Sequence, residues 1–173
     1  MELLVLREEV HGLSSASYAE KLRDRLDDHT VRHAKTPTEE REMIGSADIV
    51  TGLSIDRSLL DFAEDLKLFA CAYAGTDHLP LEALAEAGVE VTNATGVHTA
   101  SASEHAIGSI LTFSRRLHEA ARTEQWQPAS PSELSGSTVT IVGLGAIGSG
   151  IANRLEPFGV QTLGIRRSPE SGG

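Results

Sequence analysis

The chain of 173 residues has one cysteine, Cys71, and only three lysines, Lys21, Lys35 and Lys67, beside 12 arginines. A lone cysteine excludes an intrachain disulfide and leaves nothing from which a cysteine-built zinc site could be assembled. Its neighbours Leu68, Phe69, Ala70 and Ala72 are apolar, so Cys71 reads as a small buried hydrophobe and not as a nucleophile. No apolar run approaches the roughly 18 residues that a membrane-spanning helix needs. The opening Met1-Glu2-Leu3-Leu4-Val5-Leu6 begins acidic and turns charged again at Arg7, without the basic start and cleavage site of a secretion signal. Internal repeats and low-complexity runs are also missing.

Positive charge is the other shortage. Lys and Arg total 15 against 25 Asp and Glu, a formal charge of −10. That balance excludes nucleic acid as a main partner, because phosphate binding needs a basic face, and it excludes a polybasic membrane-surface role. Apolar residues at 40% with 23% charged residues fit a folded globular chain. An acidic shell with so little lysine points to a salt-rich cytosol, where carboxylates keep a protein hydrated. The expectation is a soluble cytoplasmic protein.

Short apolar runs alternate with helical patterns, the signature of a parallel α/β sheet. Strands are predicted at 3–6, 30–33, 48–51, 66–71 and 89–92, and helices at 17–26, 37–44, 57–63 and 80–87. Pro37 suits a first helical turn, and Gly88 suits the position just past a helix end. Five βα units in about 95 residues describe a small doubly wound domain of flavodoxin-like character. A phospho-receiver reading fails, since the first strand is followed by Arg7 and Glu8 with no acidic cluster. The stretch 102–122 is predicted as one long connecting helix, with Ser101 and Glu104 at capping-box spacing and His105 packed inside it. Residues 123–135, with Pro128 and Pro131, have loop composition.

The β-branched run 138–142 leads directly into Gly143-Leu144-Gly145-Ala146-Ile147-Gly148, followed by a helical segment 146–156 and a strand 160–165. A G-x-G-x-x-G string alone is weak; between a strand and a helix within a βαβ unit it is a dinucleotide-binding signal. Gly143 permits the tight turn, Gly145 lets the backbone approach a pyrophosphate, and Gly148 lets helix and strand pack closely. The helix start at Ala146 and Ile147 then offers amides and a positive dipole end to the phosphates. Where an NAD site carries an acid for the ribose, this chain reads Arg166-Arg167-Ser168, with no acid until Glu170. Two guanidiniums and a hydroxyl suit a 2′-phosphate, so NADP is expected over NAD.

Residues 136–168 resemble the first βαβ of the D-isomer-specific 2-hydroxyacid dehydrogenases, which interconvert 2-oxo acids and D-2-hydroxy acids with NAD or NADP. Ala72-Tyr73-Ala74-Gly75-Thr76-Asp77-His78-Leu79 resembles that family's substrate loop. Val91-Thr92-Asn93-Ala94-Thr95-Gly96-Val97-His98, with Ser103-Glu104-His105-Ala106, resembles its hinge and interdomain helix. Trp126 stands where the family often has a tryptophan. The resemblance implies that amides around Ala74 and Gly75 hold a substrate carboxylate, with Tyr73 lining the pocket. It further implies a substrate domain at 1–98, an interdomain helix at 99–122, a loop at 123–135 and the start of a Rossmann coenzyme domain at 136–173.

The family's arginine, glutamate and histidine for catalysis have no counterpart in these residues. The chain therefore reads as the N-terminal, truncated part of an NADP-preferring 2-oxo acid reductase, inactive by itself, with no catalytic and no metal-binding residue assigned. His78, His98 and His105 are acid candidates by residue type only; His78 is expected as a hydrogen bonder in a turn, and His98 as a contact near the cofactor. A half-built coenzyme unit would expose a strand edge and apolar faces, so a homodimer or other homo-oligomer is expected. The alternative is a dinucleotide-sensing, corepressor-like protein on the same fold, without turnover.

Overall fold

The strand at the start of the chain shows how this sequence makes a sheet. In the computed structural model, which describes residues 1–124 and 131–167, β1 (Glu2–Val5) has three fully buried positions. Leu4 and Leu6 face one apolar cluster, with Ile44, Val50, Phe69 and Leu84. Leu3 and Val5 face another, with Ala19 and Val31. Side chains alternate across a strand, so a continuous apolar run fills both faces of a sheet covered on both sides.

The sheet holds β2 (Thr30–His33), β1, β3 (Ile49–Gly52), β4 (Leu68–Cys71) and β5 (Glu90–Thr92) in the order β2-β1-β3-β4-β5, all parallel. That is the flavodoxin-like order, as expected, with a switch point between β1 and β3. α1 (Ser15–Arg23) supplies Ala19 to one face, while α2 (Pro37–Ile44), α3 (Arg57–Leu60) and α4 (Leu81–Glu86) supply Ile44, Leu59 and Leu84 to the other. Cys71 is buried, as its neighbours suggested. At the opening edge of the sheet, the Asp48 carboxylate accepts from the Glu2 amide at 2.9 Å and from Lys67 Nζ at 2.5 Å, tying three strands together. This unit runs from Met1 to Thr95, and a second begins at Gly96.

The second unit contains α5 (Thr99–Ser114), α6 (Leu117–Ala120), β6 (Thr138–Val142), α7 (Ala146–Leu155) and β7 (Gln161–Ile165), with a 3-10 turn at Glu156–Phe158. β6 and β7 pair in parallel, Thr138 opposite Gln161 through Val142 opposite Ile165. α5 packs on α7 where Gly150 leaves room: a Cβ there would overlap the Thr99 methyl and lie 2.7 Å from the Ser103 hydroxyl, itself fully buried. Val142 is 81% exposed and Ile165 54%, so the two-stranded sheet keeps much apolar surface uncovered among the described residues.

Three expectations for this stretch need correction. The single helix 102–122 is two helices that start earlier, at Thr99, and break at Arg115 and Arg116, where Arg116 adopts φ 53°. The chain folds back because the His118 ring lies 5.0 Å from the Phe113 ring and its Nδ1 sits 3.3 Å from the Thr112 carbonyl. No glycine announces that stop. The Ser101–Glu104 capping box does not form, since the helix is capped at His98 and the Ser101 hydroxyl donates to the His98 carbonyl at 3.3 Å. His105 is exposed rather than packed, because the register set by the buried Ser103 and Ile107 turns it outward.

Candidate functional site

Two loops carry the residues singled out above, one in each unit. The first follows β4. The carbonyls of Ala72, Tyr73 and Ala74 each have a partner brought from elsewhere in the fold. Ala72 O lies 2.8 Å from His11 Nε2, Tyr73 O accepts from the Ala94 amide at 3.0 Å, and Ala74 O accepts from Asn93 Nδ2 at 2.8 Å. Gly75 O faces the Cys71 thiol at 4.0 Å. The Ala72 amide itself donates to Gly52 O at 2.9 Å.

In a trans peptide the C=O of one residue and the N–H of the next lie in one plane and point in opposite directions. Fixing these three carbonyls therefore fixes the N–H groups of Tyr73, Ala74 and Gly75. None of the three, nor the Thr76 amide beside them, donates to an acceptor among the described residues. A row of oriented, unmatched amides is an anion-binding surface, suited to a carboxylate.

Three rings frame this loop. Tyr73, 46% exposed, stacks on His11 with centroids 5.5 Å apart and planes 14° from parallel, and meets His78 edge-on at 5.6 Å. His78 Nε2 sits 2.7 Å from Leu53 O, a hydrogen bond to a residue 25 positions away and not the local one expected of it. Asn93 is held in turn by Thr95, whose hydroxyl donates to Asn93 Oδ1 at 2.8 Å. Sequence reasoning gave no role to His11 or Asn93. The His11-Gly12 pair, a turn signal, was the available clue for the first; Asn93 stood within a quoted motif without a stated function.

The second loop joins β6 to α7. Gly143 takes φ 94°, which only glycine adopts without strain, and its amide donates to Ile165 O at 2.8 Å. A Cβ on Gly148 would overlap the Gly143 carbonyl oxygen and press on Ile141 Cγ2 at 3.2 Å, so the close packing of helix on strand requires glycine there. A Cβ on Gly145 would meet nothing within 4 Å. The space before the helix start is thus open, and the first-turn amides of α7 (Ala146, Ile147, Gly148) have no acceptor within the helix. An open approach beside free helix-start amides is what a pyrophosphate needs, and the residues fit a dinucleotide. Because Ile165 O binds the Gly143 amide, Arg166 and Arg167 follow directly beside that turn; Arg166 is half-buried and Arg167 exposed. Ser168 and Trp126 lie outside the described residues. No group of His, Cys, Asp and Glu among the described residues could hold a metal, and no helix of theirs is long and apolar enough to cross a membrane.

The comparisons with known proteins agree across both loops. The family model "D-isomer specific 2-hydroxyacid dehydrogenase, catalytic domain" matches residues 7–162. The chain is 39% identical over 133 residues to a glyoxylate reductase/hydroxypyruvate reductase of Mus musculus, covering 70% of this chain and 40% of that protein. It is 35% identical over 141 residues to a D-3-phosphoglycerate dehydrogenase of Mycobacterium leprae, covering 79% of this chain and 26% of that one. Among solved structures, an NAD-dependent formate dehydrogenase from Staphylococcus aureus in complex with NAD superposes with a TM-score of 0.66 at 25% identity, over 100% of this chain and 58% of that one. The chain thus spans well under two thirds of the length of these relatives.

Proposed function

Because the chain belongs to the D-isomer specific 2-hydroxyacid dehydrogenase family, an oxidoreductase family using nicotinamide cofactors, we propose that it is part of an NADP-preferring reductase of 2-oxo acids. The observation carrying this reading is the row of three amides from Tyr73 to Gly75, which suits a carboxylate beside a reacting carbonyl. In this reading residues 1–98 form the substrate domain, 99–122 the interdomain segment of α5 and α6, 123–135 a loop, and 136–173 the start of the coenzyme domain.

Ala74 and Gly75 would hold the substrate carboxylate, with Tyr73 as a wall of the pocket. Gly143, Gly145, Ala146, Ile147 and Gly148 would cradle the pyrophosphate, and Arg166, Arg167 and Ser168 would take the 2′-phosphate. The nicotinamide supplies the hydride when bound; this chain's residues bind and orient. The preference for NADP rests on the absence of an acid beside β7 and the presence of two guanidiniums. No arginine–glutamate–histidine set is assigned within the 173 residues, so the chain alone is proposed to bind without turnover. A homo-oligomer in a salt-rich cytosol completes the reading.

The test is an assay of the full-length protein containing this chain, with NADPH and NADH, against glyoxylate, hydroxypyruvate and pyruvate. Reduction with NADPH favoured at least about tenfold is expected, the size of a lost charged hydrogen-bond pair. A preference for NADH would overturn the cofactor assignment. Nucleotide binding without reduction of any 2-oxo acid would favour a sensing protein instead. Turnover by the purified 173-residue chain would refute the claim that it only binds.

A further inference from the structure

We propose that His11 is a positioning residue for the substrate carboxylate: by holding the Ala72 carbonyl, it aims the Tyr73 amide into the anion-binding row. The inference rests on the assignment of that row to the substrate and adds a residue from a different part of the chain.

His11 sits in a built feature. It takes φ 49° and Gly12 takes φ 78°. Val10 and Leu13 exchange both backbone hydrogen bonds across them, each at 2.9 Å. Two successive positive φ values closing a two-residue hairpin are the pattern of a type I′ turn. Asn, Asp and Gly are the ordinary occupants of such positions, and histidine is among the non-glycine residues that positive φ tolerates best. The turn carries the ring to a carbonyl 61 residues further along the chain. A carbonyl only accepts, so Nε2 carries the proton of this 2.8 Å contact.

The Ala72–Tyr73 peptide is the one in the row whose carbonyl depends on a side chain from the start of the chain. The next two are held from Ala94 and Asn93. If the Ala72 carbonyl were released, its plane could rotate and the Tyr73 N–H would leave the row. The same ring stacks on Tyr73, so one residue fixes both the amide and the aromatic wall. A hydrogen bond alone would orient the peptide; the stack at 14° also fixes the side chain beside it.

The test uses His11→Gly, which removes the ring while leaving positive φ free, and His11→Gln, which retains an N–H donor of similar reach. In the full-length protein, His11→Gly is expected to raise KM for the 2-oxo acid about fivefold, with kcat within about twofold and KM for the nicotinamide cofactor unchanged. His11→Gln is expected to recover about half of that loss in logarithmic terms. A second readout needs no turnover: the Tyr73 amide resonance of the full-length protein should shift in His11→Gly and shift less in His11→Gln. An unchanged Tyr73 resonance overturns the positioning role. An unchanged KM with a shifted resonance overturns the link to substrate. If the wild-type protein reduces no 2-oxo acid, the assignment of the row falls, while the resonance still decides whether His11 orients it.

Discussion

The loop after β4 and the turn after β6 both present backbone amides to a prospective anion, and they reach that state by different means. The turn after β6 is self-sufficient. Gly143 bends the chain, Gly148 lets the helix close on it, and the helix start supplies the donors, all within six consecutive residues. The loop after β4 has no positive φ at Gly75, and a Cβ there would make only ordinary contact with the Tyr73 ring at 3.7 Å. Its shape comes from outside, through His11, Gly52, Leu53, Asn93 and Ala94. The first is a set of open amides written in local backbone chemistry, the second one assembled by tertiary contacts.

The largest effect expected from this contrast is at Gly148. In Gly148→Ala the new methyl meets backbone, which cannot step aside as a side chain would, and the cost should reach the upper end of the about 1–3 kcal/mol typical of overpacking. Chemical denaturation of the second unit would read it. Unchanged stability would mean that helix and strand are not held as close as they stand here. Gly145→Ala should separate ligand approach from packing within the same turn. Gly145 has backbone angles open to alanine and nothing within 4 Å, so stability should change by less than about 0.5 kcal/mol while cofactor affinity falls about tenfold or more. Unchanged affinity would remove Gly145 from the cradle.

In the other loop the sensitive residue should be a distant one. Asn93→Ala leaves the Ala74 carbonyl with only the 3.5 Å contact to Thr95 and frees the Gly75 amide to turn. A KM for the 2-oxo acid about fivefold higher is expected, with a stability loss of about 1 kcal/mol. Gly75→Ala, by contrast, should cost less than Asn93→Ala, the reverse of what a glycine-centred reading of Ala74-Gly75 would give. If Gly75→Ala is the more damaging, the loop is after all defined by its own glycine.

The smallest expected effect is in pH dependence. Among the described residues, all the groups whose pKa is displaced lie in the first unit. Burial holds His33 below its ordinary 6.5, aided by the charges of Lys35 and Arg23. The Ser46 hydroxyl bond holds Glu2 below 4.5 against the opposing effect of burial, with Arg32 adding to it. The Lys67 bond holds Asp48 below 3.8, joined by the Glu2 amide. In each case the folded state binds its proton less readily than the unfolded chain. Stability is therefore fully present above the ordinary value and is lost as pH falls through the folded value. The first unit should weaken slightly below about pH 6.5 and further below about 4.5, while the second stays flatter over that range. Amide exchange resolved by unit would show it, and parallel profiles would break the distinction.

The fold of the first unit was legible because its cues are periodic: short apolar runs, Pro37 at a helix start and Gly88 past a helix end. The break at Arg116 was not, because the left-handed residue there is an arginine and the cause is a ring contact between Phe113 and His118. The capping box at Ser101 was misread for a related reason. Spacing alone cannot say which turn begins the helix; it begins one turn earlier, with the Ala102 amide donating to the His98 carbonyl at 2.9 Å.

The sequence by itself determined the glycine turn after β6, since the glycines that shape it are close together and the constraint on each is steric and local. It also pointed to a parallel sheet, through runs at β1 and β4 too continuously apolar for a one-sided sheet. Only the tertiary structure decided the amide row after β4. Its donors are oriented by carbonyl partners up to 61 residues away, and a hydrogen bond between distant residues leaves no period or spacing in the chain.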